Sequence, residues 1–361
     1  MKIDRQIAFW IIAAAVLLAF LFIFRAILLP FVGGMAMAYL LDPLADWFER
    51  RGMNRLMATM TIIVLALVVL AALLVLVLPI LVNQIGLLIA NLPEYLTRLD
   101  SVIESVLRSS WAASIGVNPD AVRSSLGAFV SQGTTWATTL VTSVWSGGLA
   151  FINILALLVV APVVAFYLLY DWDRMIGLVD SWLPRDHVET IRRLAREMDS
   201  VIAGFVRGQA LVSMTLGVFY AAGLVILGIN FGFLIGLGAG LISFVPYLGS
   251  TLGFVASVGI ALLQFWPDWV MPVAAAALFI VGQLLEGYVL QPFFIGNNVG
   301  LHPVWLMFAL FAFGLLFGFV GLLVAIPAAA AVGVLVRYAL SRYLASPIYR
   351  GSAGEPTPPS E

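Results

Sequence analysis

With 361 residues, 63% of them hydrophobic and 10% charged, the chain has too little polar surface to enclose a water-soluble core, since soluble domains carry about 25% charged residues. Its 18 basic and 19 acidic residues nearly cancel, so there is no cationic footprint for a phosphate backbone and no nucleic-acid partner is expected. Composition excludes a soluble enzyme, a disordered chain and a nucleic-acid binder, and leaves a protein whose solvent is the lipid bilayer.

No Asp, Glu, Lys or Arg occurs from Leu56 to Pro93 or from Ser124 to Tyr170, and from Gly208 to Val336 only Asp268 and Glu286 are ionisable acids. About 20 apolar residues cross a bilayer core as a helix, and lipid admits only helices or closed barrels. These runs are continuous rather than alternating. The expected class is therefore all-α: a polytopic membrane protein with about eight hydrophobic segments.

Residues 1–81 hold the first three segments. Ile7–Leu29 is too long for a signal-peptide core and lacks a small-residue cleavage site, so it reads as a retained span closed by Pro30. Phe31–Phe48 follows, with Asp42-Pro43 in its last turns, where Asp42 reads as a capping or pairing group. Leu56–Leu81 is the third. Residues 82–147 read as an extracytoplasmic arm of amphipathic helices. There Tyr95, Leu99, Val102, Ile103 and Val106 recur at helical spacing behind Pro93, and Asn118-Pro119-Asp120 opens a second stripe through Val122, Leu126, Phe129, Val130 and Trp136. The fourth span is 148–170. Residues 171–207 read as a cytoplasmic amphipathic helix opened by Pro184, with Ile191, Leu194, Met198, Val201 and Phe205 on one face and charges on the other. Residues 208–340 form the transport core, in which Gly208–Ile229 is the fifth span, and 341–361 read as a disordered cytoplasmic tail.

Orientation follows from Lys and Arg in the flanks. With the N-terminus cytoplasmic, fourteen basic residues fall inside, from Lys2 and Arg5 to Arg350, against three outside, Arg98, Arg108 and Arg123. Both termini are therefore expected in the cytoplasm.

Two segments of the core are longer than a bilayer needs. Phe231–Phe265 is broken at its centre by FVPYLGS, Phe244–Ser250, where Pro246 removes a donor and Gly249 favours a turn. Pro303–Arg337 repeats the pattern, with glycines and then Pro327 near its centre. Each reads as a re-entrant helical hairpin, with one long kinked span as the alternative. As hairpins, 208–265 and 269–337 become inverted copies, a plan found in secondary transporters, whose sites lie at helix breaks near the midplane. The pairs Gly232/Gly236/Gly240, Gly249/Gly253 and Gly314/Gly318 have the spacing of close helix packing.

FVPYLGS, followed by Gln283, Glu286 and QPFFIGNNVGLHP (Gln291–Pro303), resembles the autoinducer-2 exporter family of bacterial membrane proteins, which includes PerM-like permeases. AYLLDPL (Ala38–Leu44), RGQ (Arg207–Gln209) and LFGFVGLLVAIPAAA (Leu316–Ala330) extend the likeness over most of the chain. The resemblance implies an inner-membrane transporter without ATP hydrolysis and a homo-oligomer, a pentamer being the form it suggests. It also implies export of a quorum-sensing furanone, or exchange of sodium or lithium for protons. Gly287-Tyr288 follows Glu286 where many relatives carry a polar residue, so the site here is expected to be tuned differently.

Glu286 is the leading site residue. A carboxylate at a helix centre costs about 2.5–3.5 kcal/mol on insertion scales, so it is expected to face a cavity or a partner. Gln283 lies one turn earlier on the same face. Gln291, Asn297, Asn298 and His302 form a polar link whose amides suit a sugar-like ligand or a cation, or simply a turn. Pro246, Gly249 and Pro327 mark the breaks. Arg207 and Gln209 open the fifth span, where Arg207 reads as a snorkelling anchor. The chain has no cysteine, and His187 and His302 are far apart, so no metal or cofactor is expected. There is no P-loop, H-E-x-x-H or G-x-S-x-G motif, so no enzyme is expected. The sequence leaves three functions: a secondary transporter of a small polar solute, a cation/proton antiporter carried by Glu286, and a channel or membrane scaffold.

Overall fold

The computed structural model describes residues 19–107, 148–295 and 302–350, with isolated positions between 12 and 17 and between 124 and 135. The start of the first predicted span, the outer helix expected from Asn118, Asn297, Asn298 and the tail from 351 lie outside the described residues. Among the described residues every regular element is helical: α1 (Leu28–Arg50), α2 (Arg55–Leu107), α3 (Gly148–Ser181), α4 (Val188–Ile226), α5 (Gly232–Ile242), α6 (Leu248–Phe265), α7 (Val270–Leu285) and α8 (Pro303–Ala345), with shorter turns between. Among the described residues six helices are long and apolar enough to cross a membrane.

Several predicted boundaries move. Pro30 does not close a span: it sits in the first turn of α1, and the break falls earlier, in the 3₁₀ turn Arg25–Ile27. Proline's fixed φ is already helical, so the first turn, whose N–H groups have no intrahelical acceptor, accommodates it. The helix that carries the third span does not end at residue 81. Helix α2 runs 53 residues, through Pro79 and Pro93, about 80 Å of helix against a bilayer core of about 30 Å. Each proline removes one backbone bond of many. Likewise the amphipathic stretch before Arg207 and the fifth span are one helix, α4, of 39 residues.

The described chain divides into two units. One contains residues 1–56, 164–208 and 294–361, and the other 57–163 and 209–293. In the first, Arg55 at the start of α2 bonds Asp42, Asp46 and Glu49 of α1 and the Leu169 carbonyl of α3. The three acids are spaced to share one face of α1. The predicted apolar face of α4 packs through Leu194, Met198 and Val201 on Ala330 and Val334 of α8.

Helix α8 is itself two legs. Gly318 has φ 61° and ψ −136°, a conformation open to glycine and strained for other residues. Phe308 and Phe313 of the first leg and Ala329, Val332 and Val336 of the second line one apolar cavity of about 320 Å³, so the legs lie side by side. The break is thus at Gly318. Pro327 lies buried within the second leg, which continues through it, and the Gly314/Gly318 pair makes a reversal rather than a packing seam.

In the second unit, α5 and α6 pack against each other across a turn at 243–247 that contains Pro246 and ends at Tyr247, φ 66°. Helix α5 spans about 16 Å, too short to cross a bilayer alone. Its Gly232, Gly236 and Gly240 lie directly on the backbone of α4 at Leu224, Ala221 and Gly217. Gly249 abuts the last turn of α5 at Ala239 and Ser243, and Gly253 abuts Ala239 and Phe279.

Candidate functional site

The polar groups of the second unit are buried among apolar helices. Along α7, Pro272, Ala275, Phe279 and Gly282 face inward, while Val273, Ile280 and Leu284 are exposed. Glu286 continues the inward face and is 2% exposed.

At Glu286 the helix widens. Residues Glu286–Leu290 form a π turn, closed by the Gln291 N–H donating to the Glu286 carbonyl. Pro292 follows and has no N–H for the carbonyl four residues back, which accounts for a local departure from α geometry. Residues five apart on an α-helix lie on different faces; the wider turn brings Gln291 round to Glu286. Gln283 Nε2 donates to Glu286 Oε2 and Gln291 Nε2 to Oε1, each at 3.3 Å. π turns of this kind are frequent at functional sites.

Opposite stands Tyr220 of α4, 0% exposed, stacked on Phe279 at 4.3 Å with rings 13° apart. Gln209, about three turns before Tyr220 on α4, donates to the Ser243 carbonyl at 2.7 Å, at the break of the α5–α6 turn. The structure thus gathers Gln283, Glu286 and Gln291 in one cluster, and Gln209 with the break carrying Pro246 and Gly249 in another. Pro327 belongs to the other unit. Tyr220 and Ser243 were not singled out from sequence. The signal was present as a file of polar residues, Gln209, Ser213 and Tyr220, on an otherwise apolar helix.

At the end of the same unit where α4 gives way to α5, Asn83, Gln84 and Asn91 of α2 and Asn230 line a cavity of about 410 Å³ with Phe231 and Phe233. Gln84 accepts from the Leu234 N–H, and Asn230 donates from its side-chain amide to Tyr95 Oη and from its backbone N–H to Gln264 Oε1. Among the described residues no charged side chain lines this space. In the first unit a separate cavity of about 410 Å³ is bordered by Tyr39, Asp42, Asp199 and Arg207. Its polar groups serve one another: Tyr39 Oη donates to Asp199, and Arg207 pairs with Asp42. Asp42 and Arg207 therefore do structural work. Among the described residues no group of His, Cys, Asp and Glu is placed to hold a metal ion.

Long apolar helices with large hydrophobic side chains outward and amides, hydroxyls and one carboxylate inward define a polytopic helical membrane protein. Residues 10–341 match the AI-2E family transporter model, and the chain belongs to that family of membrane transporters. It is 24% identical to the provisionally named transport protein YrrI of Bacillus subtilis, over 88% of either chain. It is 27% identical to the provisionally named permease PerM of Escherichia coli K12, again over 88% of either chain. A second Bacillus subtilis relative, the provisionally named transport protein YueF, is 23% identical over 81% of this chain and 79% of its own.

Proposed function

We propose that this chain is a proton-coupled secondary transporter of a small polar solute in the bacterial inner membrane, with Glu286 as the coupling group. The observation that carries the reading is the Glu286 carboxyl, buried on a π turn and bonded by two neutral amides. An intramembrane acid without a counter-charge is suited to take up and release a proton. The amide-lined cavity around Asn83, Asn91 and Asn230 supports an uncharged, hydrogen-bonding solute, and the quorum-sensing furanone of the family's name is the first candidate. Both termini face the cytoplasm on this reading, the chains assemble as a homo-oligomer, and the α5–α6 pair and the two legs of α8 are inverted re-entrant hairpins that move or gate against the rest.

Glu286→Gln tests the coupling role. It keeps the shape and the hydrogen-bonding capacity and removes titration. In proteoliposomes with an imposed proton gradient, solute accumulation should vanish while the protein still inserts. The cation/proton antiporter is distinguished in the same vesicles: sodium-driven proton movement without solute selects it. Normal gradient-driven flux in Glu286→Gln, at equal protein density, returns Glu286 to a structural role.

A further inference from the structure

The phenol of Tyr220 ends at Gly282, one turn of α7 before Glu286, with nothing to bond. Its hydroxyl is fully buried and has no hydrogen-bonding partner among the described residues, a condition that native proteins seldom leave unexplained. The ring has no freedom to turn away. One face stacks on Phe279. Its edge fills a notch at Gly282, where an added methyl would overlap both ring and hydroxyl. Phe279, Gly282, Gln283 and Glu286 succeed one another on one side of α7, so the phenol lies along that side with its hydroxyl toward the π turn.

The mobile partner is therefore the carboxyl. Glu286 hangs on rotatable torsions and is held by two amide bonds of 3.3 Å, at the long end of the range. Gln283 and Gln291 face it from its own helix and Tyr220 faces it from α4. Among the described residues no Arg, Lys, His or second carboxylate interacts with it.

We propose that Tyr220 is the positioning residue of Glu286: when the ionised carboxylate turns toward α4, the hydroxyl, unpaired in the arrangement seen here, donates a further hydrogen bond to it beside those of the amides. This rests on the reading of Glu286 as the coupling group and adds to it a second seat for the carboxyl. The released proton passes to water on the side to which the site is open, and Tyr220 keeps its own proton throughout. The added phenol bond links the charge on α7 to a contact with α4, which gives the two protonation states different helix-to-helix contacts.

The test is pH-difference infrared spectroscopy on the full chain in lipid bilayers, which needs no identified solute. The carboxylic-acid carbonyl band of Glu286 is recognised by its loss in Glu286→Gln. Tyr220→Phe keeps the stack and fills the notch and removes only the hydroxyl. The band should then titrate about one to two pH units higher than in the parent protein, because the ionised form has lost a donor. Thermal stability should be unchanged or raised. Gly282→Ala, which displaces the phenol without deleting it, should move the midpoint the same way. An unshifted midpoint in Tyr220→Phe overturns the role of Tyr220, even where Glu286→Gln abolishes coupled flux. Absence of any Glu286-dependent band, or normal coupled flux in Glu286→Gln, overturns the coupling reading itself and the proposal with it.

Discussion

Arg207 donates its Nε–H to the Tyr39 carbonyl at 2.6 Å, and that carbonyl is the one Pro43 leaves empty. In a helix the N–H of residue 43 would bond the carbonyl four residues back, and proline has none. The same guanidinium reaches Asp42 Oδ2 at 3.3 Å. Asp42-Pro43 and Arg207-Gly208 are thus two halves of one junction between α1 and α4. Gly208 completes it: any side chain there would meet the Phe294 carbonyl.

Arg207→Gln should lower stability by about 1–2 kcal/mol, mostly from the unpaired carbonyl, since a half-exposed ion pair adds little. Pro43→Ala restores the missing N–H and so should recover much of that loss in the double variant. A denaturation series on the four proteins of the cycle decides the matter. Simple additivity would show that the carbonyl is not the link between the two residues.

Asp180 accepts both arms of the Arg192 guanidinium at 2.7 Å, across the tight connection between α3 and α4. Those hydrogen bonds hold its carboxyl below the ordinary carboxylate range, against a smaller opposing effect of desolvation. A carboxyl lowered in the folded state stabilises the fold above its unfolded pKa of about 3.9, and that contribution is lost as pH falls through the folded value. Acid unfolding of Asp180→Asn should therefore be less steep below about pH 4 than that of the parent protein. Superimposable acid profiles would remove Asp180 from the account of low-pH stability.

Much of the architecture is written in residue types. Charge-free runs longer than a bilayer needs can be placed only as apolar helices, and FVPYLGS combines a proline with a glycine at the place where α5 turns into α6. The second break was misplaced for a physical reason. Pro327 removes one N–H and a long helix absorbs that loss, whereas the chain reverses only where φ turns positive, at Gly318. Many glycines in a membrane helix serve packing, so the one that reverses the chain is not marked. Gln291 reads from sequence as part of a polar link with Asn297, Asn298 and His302, since residues five apart do not share an α-helical face with Glu286. The π turn before Pro292 changes that spacing. Tyr220 is not legible as a site residue, because a tyrosine in an apolar helix is ordinary until its neighbours, Phe279 and Gly282, are known.

Gly236 and Gly238 are two residues apart on α5 and should respond oppositely to alanine. A methyl at Gly236 would fall within the backbone of Tyr220 and Ala221, whereas one at Gly238 meets nothing within 4 Å. Gly236→Ala should separate α4 from α5 and cost at least about 1–3 kcal/mol, as overpacking against rigid backbone does. Gly238→Ala should be neutral or gain up to about 1 kcal/mol from helix propensity. Thermal unfolding in detergent compares them. Equal effects would mean that the close approach of α4 and α5 is not maintained in solution.

The hairpins make a prediction about sidedness that full spans reverse. The chain has no cysteine, so single cysteines report accessibility without background. Asp268 lies between α6 and α7, and His302 caps α8 from the other end of the α7 segment. With the N-terminus inside, α4 ends outside. If α5 and α6 together return to that side, Asp268→Cys must label from outside, and α7 then carries the chain inward, so that His302→Cys labels from inside. If α5 and α6 instead form a continuous crossing, every later position inverts: Asp268→Cys labels from inside and His302→Cys from outside. The charge bias does not separate the two, because a second crossing at α8 restores the C-terminus to the cytoplasm. Membrane-impermeant maleimide on intact cells and on inverted vesicles resolves them. Helix α5, about 16 Å long, and the left-handed Tyr247 that ends the turn after it place the expectation on Asp268 outside and His302 inside. The opposite pair of labels would establish two full spans and dissolve the inverted repeat, leaving the Glu286 site to be explained within a conventional bundle.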